Sequence, residues 1–243
     1  ITLKGMLAQL FLTYIWPDLP RNQGVLAPVE FIFDERSIIK PDFGTPNAQS
    51  MMSVFTSWSV AQVCVMKYLY SVPDKYTRVI APWFNMINTF LFGGVTQHGE
   101  MVGNVCADIN GMGGGALSDR DGQHSCAPIF ATMADLGEQE FMEEEMPFVQ
   151  LVSKKLMKDN QGFGRQRGGM GYQMILALRD SPVWGFMLTA IGSKFPNVPG
   201  LFGGYGCPTY PLCRISNVDV FETMQSDPSQ FRFSIEELMN ERP

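Results

Sequence analysis

Charge is what this chain has least of. Asp, Glu, Lys and Arg make up 17% of its 243 residues, against roughly a quarter in an ordinary soluble domain. The formal balance is -6 with no basic stripe, so nucleic acid is not expected as a partner. Histidine occurs only at His98 and His124, without the short spacing a preformed metal site requires. The five cysteines (Cys64, Cys106, Cys126, Cys207 and Cys213) contain no CxxC pair. That speaks against a disulfide scaffold or zinc knuckle and makes a reducing cytoplasm the expected location. Long apolar runs are missing as well. The longest uncharged stretch, residues 79–99, is broken by Pro82, Asn85, Asn88, Gly93, Gly94 and Gln97, so no membrane helix is expected. Neither GxxxxGK[ST] nor GxSxG occurs, which removes the phosphate loop and the serine nucleophile elbow. The first residue is Ile1, with no signal pattern after it. Both ends read as internal to a longer polypeptide, and the segment is not expected to fold alone.

Glycine, methionine and aromatic residues are present in their place. The chain has 24 Gly, 16 Met and 12% aromatics, a profile suited to a surface largely covered by partners. The densest glycine run is residues 158–171, Lys-Asp-Asn-Gln-Gly-Phe-Gly-Arg-Gln-Arg-Gly-Gly-Met-Gly. Such density implies positive φ or very close backbone approach. Arg165 and Arg167 within it suit either an anion grip or a clamp on a carboxylate elsewhere in the fold.

The periodicities predict an α+β fold. Leu3 to Ile15 carries a helical apolar stripe, and Val29 to Phe33 reads as a short strand. Ser50 to Tyr70 is the longest helix, so poor in charge that burial on nearly all sides is expected. Residues 79–99 suggest buried strands with a tight turn at Gly93-Gly94. Ile129 to Met146 has helical character with a glutamate-rich face. Phe148 to Met157, Tyr172 to Arg179 and Val183 to Ile191 alternate as strands. The last helix is expected at 234–239, capped by Ser234 with Glu237 three residues on. Two portions are expected: residues 1–146, helices and sheet with glycine-rich loops, and residues 147–243, mainly β with a Pro/Gly-rich tail and a terminal helix.

Asp108 and Asn110 precede Gly111, Gly113, Gly114 and Gly115. Small residues there let backbone N–H groups reach a ligand, and tight packing of two backbones accounts for them equally well. His124 follows Asp119 and Asp121; a hydrogen-bonded structural histidine competes there with a metal or substrate contact.

Four pieces stand in one order: Pro20-Arg21-Asn22-Gln23-Gly24; Asp108 to Ala116 with Asp119-Arg120-Asp121-Gly122; Glu143-Glu144-Glu145-Met146-Pro147; and Asp159 to Gly169. In that order they resemble the hydantoinase B/oxoprolinase family, with its N-x-G, D-G, E…E…P and DS-G-G-x-G-x-x-RGG-x-G motifs. The likeness runs from about Gly5 to Tyr172. Asp159-Asn160-Gln161-Gly162-Phe163-Gly164 departs from the usual DSGGAG and looks more like the ketone carboxylase branch, the large subunits of acetone and acetophenone carboxylases.

The resemblance implies one part of a larger multi-domain subunit, with mixed or antiparallel sheets around a long buried helix. It implies an ATP-dependent ligase acting on a small ketone and bicarbonate. A hydantoinase A-type subunit would bind ATP and Mg, and a small accessory subunit would complete the complex. Mn or Zn would lie elsewhere in that complex, with no metal ligand in this segment. On this reading Asp108, Asn110, Arg165 and Arg167 are candidate catalytic residues, and Gly113, Gly114, Gly115 and His124 candidate substrate contacts. Alternatives are an ATP-dependent hydantoinase or 5-oxoprolinase acting on cyclic amides, and a scaffold without chemistry that binds the ATPase subunit.

Overall fold

The computed structural model of the chain describes residues 2–37, 39–46, 50–83, 90–106, 112–126, 144, 147–188, 194–209, 211–231 and 234–240. Helix α1 (Thr2–Leu10) widens into one π turn over Phe11–Ile15. It lies against α2 (Ser50–Tyr70). Between them Leu10, Ile15, Val65, Met66, Leu69 and Val79 form a buried cluster. Pro73 ends α2 and opens a 3-10 turn over Pro73–Arg78. From that turn Lys75 Nζ donates to the Ile15 carbonyl at 2.6 Å and Arg78 to that of Tyr14 at 3.3 Å. Two cations thus satisfy carbonyls that the end of the first helical segment leaves without intrahelical donors.

The expectation for α2 needs one correction. The long buried helix of the expected architecture is present, but its burial is one-sided. Ser59, Gln62, Val65, Met66 and Leu69 face inward, while Val60 and Tyr68 are 60% and 56% exposed. Low charge had hidden the fact that the outer face is apolar and open.

Three strands, β1 (Phe90–Val95), β2 (Met101–Cys106) and β5 (Trp184–Leu188), form an antiparallel sheet in the order β2-β1-β5. The turn between β1 and β2 is not at Gly93-Gly94, which lie inside β1. It spans residues 96–100, where the buried Thr96 hydroxyl accepts from the His98 and Glu100 amides and Gly99 takes φ +81°. Gly103, Gly93 and Gly185 instead stand opposite one another across the three strands.

The second sheet is one long hairpin of β3 (Val149–Leu156) and β4 (Tyr172–Leu178), joined by the glycine run. Phe148, Val149 and Leu151 bury against Phe92 of the first sheet, so both sheets share a core. Val29 to Phe33 keeps a strand's alternation, with Ile32 86% exposed between the half-buried Phe31 and Phe33. It pairs with no strand among the described residues, because an alternating segment still needs a free sheet edge beside it.

Helix α3 (Val220–Ser226), capped by the Asp219 side chain, was not legible in the pattern. Helix α4 (Ile235–Asn240) was: Ser234 Oγ accepts from the Glu237 amide at 3.2 Å. The α+β architecture stands as read. The helix expected at 129–146 lies outside the described residues, apart from Glu144. Among the described residues no helix is long and apolar enough to cross a membrane.

Candidate functional site

Four stretches of backbone meet at the loop end of the β3–β4 hairpin: residues 79–81, 112–125, 157–171 and 198–207. Helix α2 positions the first. Its Gln62, fully buried, accepts from Trp58 Nε1 at 3.0 Å and donates to the carbonyls of Ile80 and Ala81. Ala81 N–H in turn donates to the Ala116 carbonyl at 2.8 Å. The second and third stretches are laced together. Gly169 N–H donates to Gly114 O at 2.8 Å, Gly114 N–H to Gln123 O at 2.7 Å, and Gly122 N–H to Arg167 O at 2.8 Å. A fourth bond runs from Ser125 N–H to Met170 O at 2.8 Å.

No side chain fits where these backbones cross. A Cβ on Gly169 would lie 2.5 Å from the Gln123 carbonyl carbon and 2.9 Å from Gly114 N. Close backbone packing therefore accounts for Gly113 to Gly115, and the amide of Gly114 is already bonded to Gln123. These glycines nevertheless form one wall of a cleft of about 530 Å³. The opposite wall comes from residues 198–207, tied on by Tyr205 N–H to Phe163 O at 2.7 Å. Tyr70, Tyr76, Trp83, Phe202 and Tyr205 supply an aromatic side, with the Tyr70 and Phe202 rings 4.4 Å apart.

The two arginines do different things. Arg167 is held by Asp121, whose carboxylate accepts from the Arg167 backbone N–H at 2.8 Å and from Nε at 3.2 Å. First that backbone bond and then the guanidinium keep the Asp121 carboxyl below its usual value. Arg165 lines the cleft as its only charged residue and makes no ion pair among the described residues.

His124 lies outside the lining residues. Its Nδ1 accepts from the Met170 amide at 3.0 Å, which places the ring proton on Nε2 and gives the residue a structural bond. Asp108 and Asn110 lie outside the described residues. Among those described, no group of three His, Cys, Asp or Glu is gathered as a metal site, so manganese or zinc finds no ligand set there.

Reading the sequence missed Asn160 and Gln161, which both line the cleft. Their side-chain oxygens are buried without a hydrogen-bond partner. It also missed the wall at 198–207. The glycines at 200, 203, 204 and 206 are as dense as those of the arginine run, and that density was the available signal. Cys207, on the same wall, has its thiol pushed up to about 11 by burial.

The site is thus a cleft with closely packed backbone walls, an aromatic side and, among its described lining residues, one cation without an ion-pair partner. The chain that builds it belongs to the hydantoinase B/oxoprolinase family, matched over residues 2–230, further than its motifs alone carry. Over 233 residues, 94% of the chain, it is 27% identical to the acetophenone carboxylase delta subunit of Aromatoleum aromaticum, covering 33% of that protein. It is also 27% identical over 121 residues, 50% of the chain, to the acetone carboxylase alpha subunit of Xanthobacter autotrophicus, covering 15% of it. The nucleotide-free structure of acetone carboxylase, from work on the mechanism of ATP-dependent acetone carboxylation, superposes with a TM-score of 0.70. That match has 21% identity and covers 85% of this chain and 27% of the other, and it shows the fold. The chain spans about a third of the length of the acetophenone carboxylase relative and less of the acetone carboxylase one.

Proposed function

We propose that the chain is part of a subunit of an ATP-dependent ketone carboxylase, a cytoplasmic ligase that joins a small ketone to bicarbonate to give a β-keto acid. One observation carries this reading: two of the four motif segments, the glycine run ending at Ala116 and the arginine run 159–169, meet at a cleft lined mainly by aromatic, aliphatic and glycyl residues, with Arg165 as the one charged residue among those described. A volume near 530 Å³ falls in the range of about 300–1,000 Å³ usual for small-molecule sites. The similarity to the acetophenone carboxylase delta subunit over 94% of the chain agrees with it.

The reaction requires a carbanion equivalent α to the ketone to meet an electrophilic carboxyl carbon away from water. The aromatic and aliphatic part of the lining would exclude water, and Arg165 would hold negative charge. Gly113, Gly114 and Gly115 would shape the substrate's seat. Arg167 and His124 would act by holding the walls together. Asp108 and Asn110, next along the chain from the Gly113 wall, remain proposed catalytic residues. The nucleotide with its magnesium belongs in this proposal to a hydantoinase A-type partner, any manganese or zinc to polypeptide outside this segment, and assembly to an accessory subunit.

The second reading, an ATP-dependent hydantoinase or oxoprolinase, rests on the family itself. The third, a scaffold for the ATPase subunit, draws on the open apolar face of α2. The purified complex containing this chain separates them. Fixation of labelled bicarbonate into acid-stable or trapped β-keto acid, dependent on both ATP and ketone, is the expected result. ATP hydrolysis coupled to ring opening of a cyclic amide, without fixation, would establish the second reading. Asp108→Ala and Arg165→Ala complexes that assemble and fix bicarbonate at the parental rate would leave the scaffold.

A further inference from the structure

Arg165 is an unusual cation. Among the described lining residues it is the only charged one, beside aromatic, aliphatic and glycyl residues and the amides of Asn160, Gln161, Gln166 and Gln173, and no carboxylate among the described residues pairs with it. The residue is exposed to solvent, so its charge is open to an anion entering the cleft. The loop that carries it is pinned on both sides. Gly168 N–H bonds to Gly162 O at 3.0 Å, and Tyr205 N–H to Phe163 O at 2.7 Å. Arg165 is therefore presented by a fixed backbone.

At the base of the same loop is a second feature that asks for a ligand. Gln161 is only 8% exposed, and its side-chain Oε1 is buried with no donor. Asn160 Oδ1 is buried without a donor too, although its amide nitrogen reaches Met157 Sδ at 3.1 Å. Both residues line the cleft. A buried carbonyl oxygen without a donor is destabilising until something supplies one. The complement of this corner is a small anion that also carries an O–H.

We propose that Arg165, Gln161 and Asn160 form the bicarbonate subsite of this cleft. The inference rests on the carboxylase reading and extends it to named atoms. The guanidinium would meet the charged oxygens, and the carboxamide oxygens would accept the bicarbonate O–H. A ketone has no donor to offer them. The carboxylate product shares the anionic chemistry without that O–H, so the two are distinguishable by competition.

The test uses the purified complex carrying this chain, with ¹³C-bicarbonate as the NMR probe and steady-state fixation alongside. Arg165→Ala is expected to raise the KM for bicarbonate about tenfold, the loss of one charge-assisted contact, with the KM for ketone within about twofold. Arg165→Lys, which keeps the charge, should recover part of the loss. Gln161→Met, of similar volume and without the amide, should weaken bicarbonate while leaving competition by acetate, a carboxylate without the O–H, unchanged. Should Gln161→Met fail to fold, the exposed Arg165 series still decides the case.

An unchanged bicarbonate KM in Arg165→Ala, in a complex that fixes bicarbonate, overturns the subsite and leaves the carboxylase reading intact. Equal losses for acetate and bicarbonate in Gln161→Met overturn the role of the carboxamides. If no ketone is carboxylated but ¹³C-bicarbonate binds the parent and not Arg165→Ala, the subsite stands and the carboxylase reading falls.

Discussion

Gly169→Ala is the sharpest perturbation of the wall that bounds the cleft. The added methyl carbon would sit 2.5 Å from the Gln123 carbonyl carbon and 2.9 Å from Gly114 N. Both neighbours are backbone, so neither can rotate away as a side-chain end would. The overlap is relieved only by moving residues 167–170 off residues 112–123. That movement breaks the Gly169–Gly114 bond at 2.8 Å, and it strains the Gly122–Arg167 and Ser125–Met170 bonds, both at 2.8 Å. At about 1 kcal/mol net for each of the three bonds, with about 1–3 kcal/mol for overpacking, the loss is on the order of 4–6 kcal/mol. Whole domains have roughly 5–15 kcal/mol to lose, so a large fall in folded yield is expected.

The control is Gly5→Ala in α1, where nothing lies within 4 Å of the added carbon. There a gain of about 0.5–1 kcal/mol is expected from helix propensity. Denaturant midpoints by tryptophan fluorescence, on the polypeptide that carries this chain in its native assembly, measure both. A Gly169→Ala midpoint within about 0.5 kcal/mol of the parent would refute the close-packed wall.

Three further outcomes are expected. The Asp121 carboxyl is held below the ordinary value chiefly by the Arg167 amide, so its stabilisation is present above the unfolded carboxyl pKa of about 3.9 and is lost as pH falls through the lower folded value. The loss of stability as pH falls below about 4 should therefore be shallower in Asp121→Asn; identical acid limbs for the two proteins would contradict the clamp. The Cys207 thiol, pushed up to about 11, should resist maleimide at pH 8 while the exposed Cys64 and Cys213 react; mass spectrometry of labelled peptides reads this directly, and early labelling of Cys207 would contradict its burial. Phe148, with no exposed surface at the junction of the two sheets, should lose about 3–5 kcal/mol on truncation to Ala, measured as a shift in denaturant midpoint, and a loss under about 1 kcal/mol would remove it from the core.

Local signals made most of the elements legible. The stripe at 3–15, the charge-poor helix at 50–70 and the three alternating strands after 148 appear where periodicity puts them, because each pattern reports one element's own burial. Strand status at 29–33 failed for the opposite reason: pairing depends on a neighbour that no single segment reveals. Gly93-Gly94 was misread as a turn because glycine marks either a reversal or a close approach, and the sequence pattern does not separate them. At the site, the arginine run was conspicuous, but the different roles of Arg165 and Arg167 depend on Asp121, 46 residues away. Asn160 and Gln161 were overlooked because an amide is unremarkable until its oxygen is buried without a donor.

The lacing of 112–125 to 167–170 bears on how the protein comes to be folded. Asp121 with Arg167 and His124 with Met170 each close loops of 46 residues, and the sheet that supports them pairs Phe92 with Phe186. Contacts so distant along the chain form after local helices and hairpins, since the entropy of closing long loops must be offset before they stabilise anything. The cleft, whose walls are joined to one another by such contacts, is thus a late product of folding. Ligand-binding competence should appear with the slowest kinetic phase, when the α1–α2 pair has long been in place.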